Sequence, residues 1–480
     1  QARGILPIAA EIRTREHLVY TPAPDIIHEA AGHAPILTDP LYAAYLRGVG
    51  ELGQRAFTLP EEERVYQAIY ALSEVKENPA LDEHAAQTAE AELRDALAHA
   101  SEVSEATRTS RLYWWTAEYG LVGRLDDYRL YGAGLLSSLW ESHSCHDPAV
   151  RKLPLDESCT EMAYDITRPQ PQLYVAANFE ALHEVLAKVQ REMAVCIGGR
   201  VALDRALASQ EIATARFESG ASVIGVLSAA GPSLDEPAFV EFSGPTAFCD
   251  REGQILAGHG PLDYPGGHVV LTGRLADGSA LFNLNESTLR TRWQDASGLL
   301  QLVFASGARA EGRVEALERA ADGSLRCLEL SDARVELPGR GIRREARFTL
   351  LAAGSFSTAH AGALDSRFYP DTRTPQIRVP RPRQFSRSER SLLSLYEKAE
   401  RAHASGAVRE AFPEVHGALD RGYPTEWLLR WNLLESLLKL GIQGTLTDVL
   451  EGELESLERH FDYRQPIDSG LKYLRRSYPR

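Results

Sequence analysis

Residues 20–35 read Tyr-Thr-Pro-Ala-Pro-Asp-Ile-Ile-His-Glu-Ala-Ala-Gly-His-Ala-Pro, and they place two imidazoles, His28 and His33, five positions apart. Proline suits the first turn of a helix, where its missing N–H has no partner to lose, and it disfavours helical geometry in the residue before it. The prolines ahead of the histidines therefore predict a helix start, and Pro35 predicts its end. We expect both histidines on one short helix, with His33 at or near its end.

The spacing of the two histidines indicates what kind of metal site they can form. Metalloproteases with the motif His-Glu-x-x-His carry their histidines four apart, about 40° around an α-helix, whereas a step of five opens that angle to about 140°. The two rings then meet at one ion only if the last turn is distorted, which Gly32 would permit. The pattern argues against a zinc protease and predicts a third ligand from elsewhere in the chain.

One candidate for that ligand is Glu118, which lies in the run Arg-Leu-Tyr-Trp-Trp-Thr-Ala-Glu-Tyr-Gly at residues 111–120. A carboxylate among aromatic side chains is costly to bury unless it is paired or bound to a metal. The alternative is a helix with one exposed glutamate. Residues 131–138, Tyr-Gly-Ala-Gly-Leu-Leu-Ser-Ser, predict a turn of small residues that runs into an apolar pair.

Four blocks in this order resemble the aromatic amino acid hydroxylases over about residues 5–195. The blocks are Pro24-Asp25-x-x-His28-Glu29-x-x-Gly32-His33-x-Pro35, Trp114-x-Thr116-x-Glu118-Tyr119-Gly120-Leu121, Tyr131-Gly132-Ala133-Gly134-Leu135-Leu136-Ser137-Ser138 and Tyr164-x-Ile166-Thr167-x-x-Gln170-Pro171-x-x-Tyr174-Val175-Ala176. The resemblance implies a mononuclear non-haem Fe(II) held by His28, His33 and Glu118, which is the facial triad of two histidines and one carboxylate. It also implies a tetrahydropterin (tetrahydrobiopterin or a bacterial relative) as electron donor and O₂ as cosubstrate.

The same resemblance implies roles for further residues. An arginine in the position of Arg13 grips the substrate carboxylate with its guanidinium fork, and Asp25 orients that arginine. Ser137 is expected both at the substrate and as a donor to His28, because such partners fix the orientation of a metal ligand. The other substrate positions are Thr21, Pro24, Trp114 and Gly134, and the positions near the pterin are Glu29 and Tyr113.

The substrate implied is a small aromatic amino acid. Family members that act on tyrosine carry an acid where this chain has Ile166, so L-phenylalanine, giving L-tyrosine, is the substrate we expect, with tryptophan as the alternative. Two features of the chain differ from the family pattern. The stretch between His33 and Glu118 is longer than usual, and the pterin loop expected upstream of Arg13 is missing. Because the chain begins at Gln1, we expect an incomplete N-terminus.

The fold class predicted is a multidomain chain with a mainly α catalytic domain of the hydroxylase type, a β-rich domain and a C-terminal α-helical region. The domains follow from changes in hydrophobic period and from Gly-rich and Pro-rich stretches. We expect a catalytic domain at 1–200 with a helical insertion at about 74–110, a helix and linker at 201–235, a β-rich domain at 236–365, a linker at 366–385 and a helical domain at 386–480. His259 and His268 are expected to flank a turn.

Composition limits the partners. The net charge of −15 over 480 residues argues against nucleic acid, because phosphate binding needs a basic face. No stretch approaches the roughly 20 apolar residues of a membrane span. Five scattered cysteines indicate reduced thiols of a cytoplasmic protein, not a disulfide framework. Self-association through the C-terminal region is an open option, since its helices carry a broad apolar face.

Two other functions stay open at this stage. A zinc-dependent hydrolase would use the same His28, His33 and Glu118, with Glu29 as its base. Alternatively, the first region is a degraded scaffold and the C-terminal domains bind a partner. The retained ligand set, Arg13 and Ser137 argue against the scaffold.

Overall fold

The computed structural model describes residues 12, 24–77, 83–100, 102–166, 169–364, 385–459 and 464–479. Within these residues the chain forms helices, three β-sheets and a C-terminal helical region, which confirms the predicted sequence of structural classes at that level. The chain divides into two compact units, residues 1–375 and 376–480. Among the described helices, none is both long and apolar enough to cross a membrane.

The first part of unit 1 packs helices around a small mixed sheet. The sheet has the order β2-β1-β4-β3, formed by β1 (Leu121–Arg124), β2 (Asp127–Leu130), β3 (Arg151–Pro154) and β4 (Gln172–Ala176). Strands β1 and β2 form an antiparallel hairpin, whereas β4 lies parallel to both of its neighbours. The longer helices are Pro40–Gly53, Pro60–Glu77, Glu83–His99, Glu105–Tyr113, Phe179–Arg191 and Gly199–Ser209, and the short ones are Ala34–Ile36, Ala133–Ser137, Leu139–Ser144 and Ala194–Ile197.

One apolar core joins these helices to the sheet. Tyr42, Tyr45 and Trp115 are completely buried in it, together with Leu182 from the 179–191 helix. That helix is amphipathic, and it begins where Asn178 Oδ1 accepts the N–H of Ala181 at 3.0 Å. The core therefore holds the segment around Trp115 in place from behind, which matters for the site described below.

Within the predicted helical insertion at about 74–110 lie the helix Glu83–His99, which contacts the preceding helix Pro60–Glu77, and the start of the helix Glu105–Tyr113. Residues 78–82, between the first two of these helices in the chain, lie outside the described part of the chain. The helical pattern of this stretch is therefore found, while its status as an insertion stays a prediction.

The prediction of a helix and linker at 201–235 is wrong in its second half. The helix Gly199–Ser209 is followed by β5 (Ile212–Phe217) and β6 (Ser222–Gly231), both inside a sheet. Considered alone, the Gly and Ser residues of β6 favour a loop. Gly225 is small because neighbouring side chains approach it closely: a Cβ there would lie 3.0 Å from Thr246 Oγ1 and 3.2 Å from the Phe242 ring.

Two antiparallel sheets make up the β-rich region. One has the order β13-β5-β6-β7-β8 and the other β12-β11-β10-β9. Apolar side chains of both sheets share buried clusters, so the two sheets pack against each other. The remaining strands are β7 (Phe239–Cys249), β8 (Gly267–Leu271), β9 (Leu299–Val303), β10 (Arg309–Arg319), β11 (Leu325–Leu337), β12 (Gly341–Leu351) and β13 (Phe356–Ala361), and one helix, Glu286–Trp293, joins β8 to β9.

Unit 2 is helical, as the pattern from residue 386 predicts. Ser386 starts it with a reciprocal cap, accepting the Glu389 N–H at 3.1 Å and donating its own N–H to the Glu389 carboxylate at 2.7 Å. Its helices are Arg387–Ser405, Val408–Gly422, Trp427–Lys439, Thr445–Leu457 and Arg464–Ser477. The predicted linker at 366–385 falls almost entirely on residues outside the described part of the chain.

A buried arginine ties three of these helices together. Arg430 is 3% exposed, and its guanidinium donates to Glu453 at 2.8 Å, to Asp420 at 2.9 Å and to the backbone oxygens of Tyr423 and Glu426 at 3.1 and 2.6 Å. Removing one partner of a buried pair leaves the other charge uncompensated.

We therefore expect Arg430→Met to lower the stability of unit 2 by about 3 kcal/mol. Native-state hydrogen exchange of the 427–439 helix in the full chain measures this loss. Arg409→Met is the control, because Arg409 is exposed and should change stability by less than about 0.5 kcal/mol. Equal exchange in the two variants would contradict the structural role of Arg430.

Candidate metal centre

The two histidines lie on a π-helix, His28–His33. Its hydrogen bonds run from residue i to i+5, as in the bond from the Ala34 N–H to the Glu29 oxygen. A step of five residues therefore passes one full turn by much less than it would on an α-helix, and the rings fall on the same side. The distortion expected from the spacing is present, but it takes the form of a wider helix.

The prediction that the helix ends before Pro35 is wrong. The chain continues from the π-helix directly into the short α-helix Ala34–Ile36, and the Leu37 N–H bonds to the His33 oxygen at 3.1 Å. Pro35 stands in the first turn of the new register, where an N–H is not needed. His33 is consequently held inside a helical segment and not at a frayed end.

Glu118 lies at the end of a second π-helix, Trp114–Glu118, closed by the bond from the Tyr119 N–H to the Trp114 oxygen at 2.9 Å. Side chains on the opposite side of this turn are hydrogen-bonded within the core. The Trp115 indole donates to the Met162 oxygen at 2.9 Å, and Thr116 Oγ1 bonds to Tyr45 at 2.8 Å. With those side chains buried behind it, the turn directs Glu118 away from the core and towards the histidines.

The three side chains converge. Glu118 Oε2 lies 3.3 Å from His28 Nε2, Glu118 Oε1 lies 3.2 Å from His33 Nε2, and the two Nε2 atoms are 3.2 Å apart. Both imidazoles are buried, and their rings meet edge to face with centroids 4.9 Å apart. The atoms that could bind one cation therefore face a common point.

The electrostatics of the cluster favour a cation. Burial tends to raise the pKa of Glu118, but hydrogen bonds from His28 and His33 outweigh it and hold that pKa at about 2. Burial tends to lower the pKa of His28, but its hydrogen bond to Glu118 and the charges of Glu118, Glu29 and Asp25 raise it overall. The carboxylate is thus ionised at neutral pH and sits where positive charge is stabilised.

A serine sets the tautomer of His28. The Ser137 hydroxyl donates to the Ala133 oxygen at 2.7 Å, so at 3.0 Å from His28 Nδ1 it accepts the ring N–H. In the neutral ring the Nε2 lone pair of His28 then points at the cluster, whereas in the protonated ring Nε2–H donates to Glu118. The contact between these two residues was expected, but with Ser137 as the donor; the structure reverses its direction.

Ser137→Ala is expected to weaken metal binding by about 10- to 100-fold, because the second hydrogen bond of a ligating histidine holds both its tautomer and its orientation. Titration with Fe(II) under anaerobic conditions measures the affinity. Ser142→Ala is the matched control, since its hydroxyl donates to the Leu139 oxygen on the exposed side of a neighbouring helix. Equal affinities in the two variants would show that Ser137 does not position the ligand.

Close backbone packing fixes the two π-helices relative to each other. A Cβ on Gly32 would lie 2.8 Å from Ala133, and one on Gly132 would lie 2.4 Å from the Glu118 oxygen and 2.5 Å from the Gly120 nitrogen. The segment 131–134 is therefore wedged between the histidine helix and the glutamate helix. The predicted turn at this place is wrong, because Ala133–Ser137 is a short helix. Gly134 lies against the Glu118 oxygen and the Tyr119 ring.

Other residues expected at the site lie around it. Asp25 is buried and accepts the His28 N–H at 2.9 Å, and Pro24 is exposed beside it. Glu29 has one carboxylate oxygen, Oε2, that is buried without a partner among the described residues, and the Tyr113 ring lies 6.4 Å from the His33 ring. Arg13 and Thr21 lie outside the described residues.

The aromatic wall near the site is larger than expected from Trp114 alone. Tyr164 stacks on the Trp114 indole with centroids 4.2 Å apart and planes 9° apart, and Tyr119 lies 4.7 Å from the same ring. Glu141, which accepts from the Tyr119 hydroxyl at 3.4 Å, was not singled out from the sequence; burial raises its pKa to about 7. A buried carboxylate in a polar stretch gives no sequence signal that separates it from an exposed one.

The comparison with known proteins points to one family. Residues 5–78 and 79–199 match the family model of the biopterin-dependent aromatic amino acid hydroxylases. Phenylalanine-4-hydroxylase of Caulobacter vibrioides is 27% identical over 219 residues, covering 45% of this chain and 57% of that protein. The Pseudomonas aeruginosa enzyme of the same name is 32% identical over 182 residues, covering 37% and 52%. The chain thus spans about half the length of these relatives.

Solved structures with a similar region carry the same name. Phenylalanine hydroxylase of Chromobacterium violaceum, with iron(III) and oxidised 7,8-dihydrobiopterin, matches with 24% identity and a TM-score of 0.27, over 39% of this chain and 53% of that one. The cold-active enzyme of Colwellia psychrerythraea matches with 26% identity and the same TM-score, over 38% and 56%. Those scores do not establish a shared fold. By sequence, residues 5–199 resemble the aromatic amino acid hydroxylases, and most of all the phenylalanine hydroxylases.

Proposed function

We propose that the hydroxylase-related region is a monooxygenase that uses Fe(II), a tetrahydropterin and O₂ to hydroxylate the ring of an aromatic amino acid, converting L-phenylalanine to L-tyrosine. The observation that carries this proposal is the convergence of His28, His33 and Glu118 on two π-helices, inside the segment that matches the hydroxylase model. Tryptophan is the second substrate to test, because Ile166 suits either ring.

The donor set suits Fe(II). Two imidazole nitrogens and one carboxylate form the facial arrangement that leaves ligand positions open for oxygen chemistry. When bound, Fe(II) and the pterin supply the electrons that activate O₂. The chain's contribution is to orient the donors: Ser137 holds His28 with its Nε2 lone pair inward, and the Trp114–Glu118 turn holds the carboxylate opposite.

Glu29 is the residue that we propose for contact with the pterin. Its Oε2 is buried without a partner among the described residues, and such an atom costs free energy until it accepts a hydrogen bond. A pterin ring offers N–H donors at its edge, so a pterin edge would satisfy this oxygen. Tyr113, beside His33, would border the same space.

Aromatic side chains form the proposed substrate wall. Tyr164 covers one face of Trp114, so a substrate ring would reach the indole by its other face or its edge. The roles of Pro24, Gly134, Asp25, Arg13 and Thr21 at the substrate rest on the resemblance. Arg13 would bind the carboxylate of the amino acid through two parallel hydrogen bonds from its guanidinium.

The domain assignment stays part of the proposal, with catalysis in residues 1–200, followed by the β-rich and C-terminal helical regions. The Gly199–Ser209 helix and β13 contact each other, so the border between the catalytic and β-rich parts lies within one packed structure. All five cysteines are free thiols, in agreement with the cytoplasmic location that remains a prediction. Self-association through residues 386–480 also remains a prediction.

The test is a turnover assay of the full chain with Fe(II), tetrahydrobiopterin and air, using L-phenylalanine and L-tryptophan in parallel. We expect pterin-dependent tyrosine formation, and His28→Ala should abolish it. Hydroxytryptophan as the main product would change the substrate but keep the reaction. Hydroxylation that proceeds unchanged without pterin would overturn the pterin dependence. A wild-type protein that binds no iron would overturn the proposal and favour the zinc hydrolase.

A further inference from the structure

We propose that the β-rich region holds a second metal site, in which His259, Cys327 and Glu318 bind a divalent ion of the zinc class. His259 lies in the connection between β7 and β8, Glu318 near the end of β10 and Cys327 in β11. The site has no residue in common with the His28 cluster, and nothing in the proposed hydroxylation requires it. It would therefore be a separate function of the β-rich region.

The register of one strand pair brings two of the ligands together. Glu318 and Cys327 are directly opposite on β10 and β11, so their side chains leave the same face of the sheet. Glu329, two residues beyond Cys327, shares that face and lies close enough to serve as a further ligand. His259 reaches the cluster from the connection that packs over this face.

The three ligand atoms form the triangle that a tetrahedral ion requires. Cys327 Sγ lies 3.7 Å from His259 Nε2 and 3.7 Å from Glu318 Oε2, and His259 Nε2 lies 3.4 Å from Glu318 Oε2. Metal distances of about 2.3 Å to sulfur and about 2.0–2.2 Å to nitrogen and oxygen, at tetrahedral angles, give edges of about 3.4–3.6 Å. The distances between the three ligand atoms are thus within about 0.2 Å of those in a zinc site.

A chain of hydroxyl groups fixes the tautomer of His259. The Thr349 hydroxyl donates to Glu329 Oε1 at 2.7 Å, so the Tyr264 hydroxyl must donate to Thr349 at 2.7 Å. The Tyr264 oxygen then accepts from His259 Nδ1 at 2.7 Å. With its ring proton on Nδ1, His259 therefore presents its Nε2 lone pair to the Cys327 thiol, which donates to the Glu318 carboxylate, and a divalent ion that displaces the thiol proton would be bound by all three groups.

Glu318 is positioned by a separate partner. Arg326 binds its other oxygen, Oε1, at 3.2 Å and leaves Oε2 directed at His259 and Cys327. The side chain of Glu318 is 34% exposed, which gives an ion a way in from solvent, whereas His259 and Cys327 are buried. A thiol among the ligands selects zinc over Fe(II).

A similar group of side chains in unit 2 differs from the His259 cluster in how its charge is balanced. His416, Asp420 and Glu453 also lie close together, but the buried guanidinium of Arg430 bridges the two carboxylates at 2.9 and 2.8 Å. Its charge is already balanced by the protein. In the His259 cluster, Arg326 reaches only the outer oxygen of Glu318, and no Lys or Arg bond to Glu329 is found among the described residues.

Cobalt(II) tests this site in the full chain, because a cobalt–thiolate bond gives a near-ultraviolet charge-transfer band. The starting protein is Cys196→Ser, which removes the exposed thiol. We expect the band to appear, to vanish in Cys327→Ser and to persist in the matched Cys249→Ser, whose thiol is equally buried. Tyr264→Phe should keep the band but weaken cobalt affinity by about 10- to 100-fold.

No band in the starting protein, or a band that survives Cys327→Ser, would overturn the proposal. Misfolding of a variant cannot imitate the first result, because it is read on a protein with every ligand intact. The His28 cluster contains no sulfur, so failure here leaves the hydroxylase proposal untouched, and failure of turnover leaves this site untouched.

Discussion

Glu118→Gln is expected to abolish tyrosine formation and to lower Fe(II) affinity by more than about 100-fold. Loss of a residue that only supports a metal ligand costs about 10- to 100-fold in affinity, and loss of a ligand itself should cost more. Glutamine keeps the shape of the side chain but removes the negative charge between two buried imidazoles. The pKa of Glu118, held at about 2 by hydrogen bonds from His28 and His33 against the effect of burial, shows how strongly this pocket favours the ionised form. Iron content and turnover are measured on the same preparation.

Glu141→Gln is the matched control for Glu118. Glu141 is also buried and close in space through Tyr119, but burial raises its pKa to about 7, so the neutral form is already well populated near neutral pH. Its replacement should leave iron affinity within about threefold of wild type, since no ligand is lost. If both glutamine variants bind iron as wild type does, Glu118 is not a ligand.

Gly32→Ala is expected to displace the π-helix that carries His28 and His33. The new Cβ would lie 2.8 Å from the Cβ and the backbone oxygen of Ala133, and neither atom can swing away as the end of a flexible side chain could. The π-helix must shift relative to the helix that carries Ser137. We expect a loss of about 1–3 kcal/mol in the free energy of unfolding, the usual cost of overpacking, together with weaker Fe(II) binding.

The matched control for Gly32 is Gly53→Ala, at the end of the Pro40–Gly53 helix. There the nearest atom to a new Cβ is 3.8 Å away, which is an ordinary contact, and alanine favours the helix by up to about 1 kcal/mol. Urea unfolding gives the stability and anaerobic titration gives the affinity. Identical behaviour of the two alanine variants would show that the contact with Ala133 does not constrain the site.

The sequence predicts the cluster better than it predicts the backbone that builds it. The five-residue step between His28 and His33 indicates that an ideal α-helix cannot bring the rings together, and the distortion is indeed there. The π-helix itself, and the second one ending at Glu118, depend on packing against Ala133 and on the buried Thr116. Such contacts between distant segments have no local signature. For the same reason Pro35 does not stop the helix.

In the β-rich region, too, contacts between distant segments cannot be predicted from the local sequence. The Gly and Ser residues of β6 favour a loop when taken alone, yet its Val223 and Ile224 are completely buried in a sheet. His259 was expected to border a turn, and only the pairing of Glu318 with Cys327 shows that ligands meet there. Strand register over long separations decides that meeting, and one sequence does not reveal it.

The proposed reaction transfers one atom of O₂ to an aromatic amino acid. The most direct measurement is mass spectrometry of the product formed from L-phenylalanine under oxygen-18 gas, with Fe(II) and tetrahydrobiopterin present. We expect tyrosine that carries one oxygen-18 atom in its hydroxyl group. Unlabelled hydroxylated product, with its oxygen taken from water, would contradict the proposed reaction. The absence of any hydroxylated product from phenylalanine or tryptophan with iron-loaded protein would contradict it as well.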